Sequence, residues 1–218
     1  MTERHTEGKE TRHDQSAATN SAAITTRFSR SMKPTLSILT PAIWNRESAK
    51  FLAAAISEQI GSAPVEHLVL FDNRARSIGA KRQALVDIAR GQYLAFVDDD
   101  DDVSEDYVSS LLKAAETGAD VITFRQRAIY NGLESEVHFG INNQDGPFKP
   151  GGITLRAPWH VCAWKRDRIA DCLFSFTNYG EDLAWCLQAR RRASTAHHID
   201  AVLHTYRHDA ATTAAPEL

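Results

Sequence analysis

The sequence is poor in sulfur, with three cysteines and two methionines in 218 residues. Cys162, Cys172 and Cys186 lack zinc-ligand spacing, which excludes a zinc ribbon or knuckle. Their odd number, with no signal peptide ahead of them, speaks against a disulfide framework and for reduced thiols in a cytosolic setting. Long apolar runs are missing: none approaches the roughly 20 residues that cross a bilayer. An excess of positive charge is missing too. Lys and Arg total 25 against 28 Asp and Glu, so no global basic field points to nucleic acid, although a local basic groove stays compatible. No internal repeat is visible. What is present is an apolar content of 43%, enough in a chain of this length for one domain with a real core.

Residues 1–33 are polar, with almost no large apolar side chains, and read as a disordered leader. Glu3, Glu7, Glu10 and Asp14 interrupt it, unlike a mitochondrial presequence. An ordered unit is expected over 34–209, with 34–124 and 125–209 as its two halves, and a flexible tail over 210–218. Inside the first half, strands and helices alternate. Leu36–Thr40, Leu68–Phe71, Tyr93–Val97 and Val121–Phe124 read as strands. Glu47–Ile60, Ile78–Ala89 and Ser104–Glu116 read as helices; the first carries Phe51, Leu52, Ala55, Ile56 and Ile60 on one face and stops at Gly61. Such alternation with short connections predicts an α/β fold, a single Rossmann-like domain around a mostly parallel sheet with right-handed crossovers. Ligands on such sheets bind beyond the carboxyl ends of the strands. Three polar clusters fall there: 41–46, 72–77 and the aspartates from Asp98. After Phe124 the turn signals Asn131-Gly132, Asn142-Asn143 and Asp145-Gly146-Pro147 predict hairpins or loops. Mixed extended structure over 153–164, a helix over Glu181–Arg191 and a last extended segment over Ala196–His208 complete a mixed α+β half.

The aspartates follow an apolar run without a spacer: Tyr93-Leu94-Ala95-Phe96-Val97, then Asp98 to Asp102. Five adjacent anions repel one another, and a divalent cation relieves the repulsion. Hard oxygen ligands suit Mg²⁺ or Mn²⁺, and Mg²⁺ held by one or two carboxylates usually shares its shell with substrate phosphates. A plainer reading competes, since acids also favour a helix N-terminus. With Ser104 as N-cap and Glu105 and Asp106 in the first turn, that reading accounts for the end of the run, so Asp101 and Asp102 are expected to lead into a helix. It leaves Asp98, Asp99 and Asp100 to a metal and a diphosphate.

Several motifs over 34–209 occur in one order. They are Leu36-Ser37-Ile38-Leu39-Thr40-Pro41 followed by Asn45-Arg46, Val69-Leu70-Phe71-Asp72-Asn73, Ala80-Lys81-Arg82-Gln83 with Ala89-Arg90-Gly91-Gln92-Tyr93, Phe96-Val97-Asp98-Asp99-Asp100-Asp101, and Gly180-Glu181-Asp182. Together they resemble family 2 glycosyltransferases of the GT-A fold, which move a sugar from a nucleoside diphosphate. The resemblance implies an inverting enzyme using Mn²⁺ or Mg²⁺ and a nucleoside-diphosphate sugar, read here as a UDP-sugar. It implies that Asp100 ligates the metal and that Asp98 or Asp99 contacts ribose or metal-bound water. It further implies Asp72 or Asn73 on the base edge, Thr40 and Pro41 lining the base pocket, Arg82 steadying the donor, and Asp182 as general base supported by Glu181. Ala42-Ile43-Trp44 departs from the family's usual pattern there. Taken alone, Glu181 and Asp182 would be ordinary dipole-favoured acids in a helix's first turn.

Alternation in a strand would put His198, His204 and His208 on one face, and the family's late metal ligand matches His204 or His208. Trp159 and His160 are candidates for holding an acceptor, against a plain core role for Trp159 and Trp164. Compact bacteriophage members resemble the stretch Trp159 to Arg166, and some glycosylate hydroxylated bases in DNA. Arg125, Arg127, Lys149, Arg156, Lys165, Arg166 and Arg168 would then border one groove. The acceptor is accordingly a saccharide, a small molecule or modified DNA, in the cytoplasm or, for a phage-type member, the host cytoplasm. A nucleotide-sugar-binding module without catalysis is the non-enzyme alternative.

Overall fold

The structure is a computed structural model, and it describes residues 23–26 and 33–208. Strands and helices follow in the order β1 (Ala23–Thr26), β2 (Leu36–Ile43), α1 (Glu47–Ile60), β3 (Val65–Asp72), α2 (Ile78–Ile88), β4 (Tyr93–Phe96), β5 (Asp102–Val103), α3 (Tyr107–Ala115), β6 (Val121–Tyr130), β7 (Leu133–Phe139), β8 (Ile153–Arg156), β9 (Ala163–Lys165), α4 (Glu181–Arg190) and β10 (Ala196–His208). They build one ten-stranded sheet in the order β1-β3-β2-β4-β9-β6-β10-β5, with β7 on β6 and β8 on β7. The pairs β2/β3, β2/β4 and β6/β10 are parallel. Among the described residues no helix is long and apolar enough to cross a membrane.

Four local expectations change. First, β6 does not lie beside β4. The three-residue β9 runs antiparallel between them, with Leu94 and Val121 both opposite Trp164. A strand this short leaves almost no periodicity to read. Second, the helix after the aspartates starts at Tyr107, and Asp102–Val103 forms a strand against His204 and Thr205. Ser104 caps nothing: its N–H donates to Leu203 O and its hydroxyl to Asp106. Third, Phe51 and Ala55 are exposed on α1, while Leu52, Ile56 and Ile60 are buried. Phe51 sits about 100° around the helix from Leu52, off the true stripe. Fourth, Ala23–Thr26, inside the expected leader, pairs antiparallel with Leu68–Phe71 at the sheet edge. Residues 1–22 and 27–32 of the leader, and the tail, lie outside the described residues.

The core explains how the second half is brought to the strand ends. Trp185 of α4 stacks on Phe174 with centroids 5.0 Å apart and meets Phe96 and Trp164 edge-on. Trp164 and Trp185 are buried, and each such side chain is worth about 1.5–3 kcal/mol or more of burial. That contact seats the first turn of α4 against the end of β4.

Candidate functional site

Three elements meet at Arg82. The residue belongs to α2, and its guanidinium is 3% exposed and lies 5.2 Å over the Phe96 ring. Nη2 donates to Asp98 Oδ2 at 2.9 Å, just beyond β4, and Nε to Glu181 Oε1 at 3.3 Å, the first residue of α4. Burial works against the Arg82 charge, but Asp98, Glu181 and Asp182 overcome it and raise its pKa further. Burial likewise opposes ionisation of Asp98; Arg82 and His160 outweigh it and hold the carboxyl well below the usual range. Asp98 Oδ1 is buried with no hydrogen-bond partner among the described residues.

The acids that follow face different ways. Asp99 accepts the Ile43 N–H at 2.7 Å and Arg46 Nη1 at 2.6 Å. The same Arg46 nitrogen reaches Asp100 Oδ2 at 2.9 Å. Asp100 has half its side chain in solvent, yet desolvation and the charges of Asp98, Asp101 and Asp99 push its carboxyl up to about 7 against the pull of Arg46. Burial also raises Asp101, which faces His204 Nε2 at 3.3 Å and accepts the Arg207 N–H. Asp102 pairs with Arg207 at the surface. The end of the run thus clasps β10 rather than opening a helix.

Asp182 stands in the first turn of α4, behind Gly180 at φ 75°, a left-handed entry that glycine adopts without strain. Its Oδ1 accepts the Leu183 N–H at 2.7 Å. Below it His160 is buried between two carboxylates, with Nδ1 3.9 Å from Asp182 Oδ2 and Nε2 3.8 Å from Asp98 Oδ2.

The base-side residues turn inward. Thr40 and Pro41 are buried in β2, with the Thr40 hydroxyl 2.9 Å from His67. Asp72 is buried and pairs with Lys81 at 3.1 Å, while its oxygens accept the N–H groups of Arg74 and Arg76. Asn73 is exposed beside it. Trp44 is 57% exposed and packs edge-on against Phe71. Arg46, which reaches Asp99 and Asp100, and Trp44, whose N–H donates to Asp72 O, are neighbours of these acids that sequence reasoning did not assign. Arg46 lay in a quoted motif, and an exposed Trp at a strand end was the available signal for Trp44.

Other expected neighbours are not brought together. A bulge in β10 between Ile199 and His204 breaks the alternation of its histidines. His198 meets Thr123, His208 stacks on Tyr130, and His204 sits between Gln126 and Asp101. Among the described residues no three His, Cys, Asp or Glu side chains form a ready metal cage. Trp159 is half-buried under the guanidiniums of Arg156 and Arg190. Trp164 belongs to the core. Of the seven basic side chains, three are engaged by acids and one lies at the far end of β4. Arg127 pairs with Glu134, Arg125 with Glu136 and Arg168 with Asp120. Lys165 lies opposite Tyr93, at the end of β4 remote from Asp98.

The fold is that of a GT-A glycosyltransferase, and several solved structures align with it. TarS of S. aureus matches at TM-score 0.56 and 11% identity, over 79% of this chain and 36% of that one. TarS 1–349 in complex with UDP-GlcNAc matches at 0.57 and 13%, over 83% of this chain and 62% of that one. TarS 1–349 in complex with UDP matches at 0.55 and 12%, over 78% and 60%. This chain therefore spans less than two thirds of the length of each. No curated protein matches it. The model of glycosyl transferase family 2 matches residues 53–192, more than half of the chain, and the chain belongs to that family.

Proposed function

We propose that this chain transfers a sugar from a nucleoside-diphosphate sugar, read as a UDP-sugar, to an acceptor hydroxyl in one inverting displacement. The observation that carries the reading is the Arg82 bridge. It joins Asp98, at the end of β4, to Glu181, so that two acidic motifs far apart in sequence share one place beyond the strand ends. Family membership supports the reaction class, and the UDP-GlcNAc complex of TarS supports a UDP-sugar by analogy.

The residues present suit a divalent cation. Asp98 Oδ1 is an unpartnered buried carboxylate oxygen, and Asp100 is half-exposed in a surplus of negative charge. Asp100 would hold the ion, and Asp98 would face ribose or ion-bound water. One or two carboxylates are the usual protein share for an ion of this kind beside a diphosphate. Bound there, a Mn²⁺ or Mg²⁺ ion supplies charge neutralisation to the leaving diphosphate. Arg46 already spans Asp99 and Asp100 and would meet diphosphate oxygens there. Asp182 takes the acceptor's proton as the hydroxyl attacks the anomeric carbon, with Glu181 and Arg82 holding its helix end. Trp44 and Asn73, exposed at the ends of β2 and β3, are the surfaces open to the base. A saccharide or small-molecule acceptor suits the acidic overall balance of the chain better than DNA does.

The test is a screen of nucleotide sugars with Mn²⁺, scoring donor hydrolysis and transfer for the parent, Asp100→Ala and Asp182→Asn. Asp100→Ala should lose metal-dependent donor binding. Asp182→Asn should bind donor within about 3-fold of the parent while transfer falls about 10²-fold or more. No turnover of any donor by the parent would instead favour a binding module, and a salt-resistant gel shift specific to hydroxymethylated DNA would restore the DNA acceptor.

A further inference from the structure

We propose that His160 is a positioning residue of the transfer step, holding the Asp182 carboxylate toward the acceptor by tying it to Asp98. The inference rests on the reading of Asp182 as the base. The His160 side chain is 6% exposed, so it reaches an acceptor only through another side chain. Its two nitrogens point in opposed directions, Nδ1 to Asp182 Oδ2 and Nε2 to Asp98 Oδ2. Neither has a hydrogen-bond partner among the described residues. Buried polar atoms left this way call for an explanation, and here both face carboxylates.

The gaps of 3.9 and 3.8 Å exceed hydrogen-bond length and are too short for an intervening water. Catalytic hydrogen bonds are often long before substrates bind and tighten in the loaded complex. His160 packs against the end of β4. The Phe96 N–H donates to His160 O, and the Phe96 ring meets the imidazole at 62° with centroids 6.1 Å apart. Asp182 Oδ1 is turned to its own helix by the Leu183 N–H, which leaves Oδ2 as the oxygen facing His160. Contraction of the site around donor and acceptor would close both gaps, with an N–H at each ring nitrogen donating to the carboxylate oxygen it faces. The base is then fixed in register with Asp98, and so with the donor that Asp98 faces.

The experiment measures kcat and donor KM for transfer in His160→Leu, His160→Gln and Asp182→Asn, and in the double variant combining His160→Leu with Asp182→Asn. Circular dichroism reports that each is folded. His160→Leu should lower kcat about 10-fold to 100-fold, as small misplacements of a catalytic group do, with donor KM within about 2-fold of the parent. His160→Gln, which keeps N–H groups, should recover part of the loss. His160→Leu should cost nothing further in the Asp182→Asn background. A raised donor KM with kcat intact, or losses that multiply in the double variant, would overturn the proposal. Full-strength His160→Leu beside an inactive Asp182→Asn would remove this inference alone. Full-strength Asp182→Asn would remove the base reading, and this inference with it.

Discussion

His67 shows how far a single residue's role escapes its neighbours in sequence. It lies on β3 with Nε2 2.9 Å from the Thr40 hydroxyl, and burial alone pushes its pKa down to about 4. An unfolded His binds its proton near 6.5. Between those values the unfolded chain holds more protons, so this residue's stability is fully present above about 6.5 and is lost as pH falls toward 4. The predicted loss over that window is about 3 kcal/mol, from 1.36 kcal/mol per pKa unit. Urea unfolding at several pH values should show the parent falling more steeply than His67→Gln below pH 6.5; parallel curves would refute it. The same inward turn explains the base-side residues. Thr40, Pro41 and Asp72 were legible as a strand-end set, but which atoms they face depends on β3 and Lys81. The residue types at Asp98, Arg82 and Glu181 were legible as well. That one guanidinium bridges both acids was not, because 99 residues separate Arg82 from Glu181.

At the scale of elements, the segment ahead of α4 is strapped to the start of α2. Gly79 N–H donates to Thr177 O and Ile78 N–H to Asn178 Oδ1. A Cβ on Gly79 would stand 1.8 Å from Ser175 O and 3.2 Å from Glu181 Cβ. Helix propensity by itself favours Ala over Gly by about 1 kcal/mol. Here the backbone contact decides. Gly79→Ala should push the Ser175–Glu181 strap off α2, lower transfer at least about 10-fold and lower the thermal midpoint despite the propensity gain. Unchanged kcat and a raised midpoint would show that the strap yields freely. Helix α1 was legible from its apolar spacing and the stop at Gly61, α2 from the alternation of elements, and the β6–β7 hairpin from Asn131-Gly132. Phe51 was misassigned because a β- or helix-period count cannot tell the edge of a stripe from its centre. Ser104 was misassigned because a good capping residue was already committed to β10.

Across the whole molecule the two halves expected from the sequence share one sheet. The second half threads β9 between β4 and β6, and the first half lends β5 to β10. Neither half keeps a complete sheet without the other. Heat or urea should therefore unfold residues 34–208 in one cooperative transition, with far-ultraviolet and tryptophan signals coincident. Two separated transitions would contradict the shared sheet. UDP with Mn²⁺ at about 100 times its dissociation constant should add about 2.7 kcal/mol to that single step. The sequence by itself determined the alternation of strands and helices, the acidic run at a strand end and the acid pair at a helix start. Each is written in residues a few positions apart, where side-chain period and local repulsion act. Only the tertiary structure decided that Asp98 and Glu181 share Arg82, that Asp101 and Asp102 grip β10, and that His160 lies between Asp98 and Asp182. Those pairings depend on the packing of Trp185 and the insertion of β9, contacts between distant segments that no local pattern encodes.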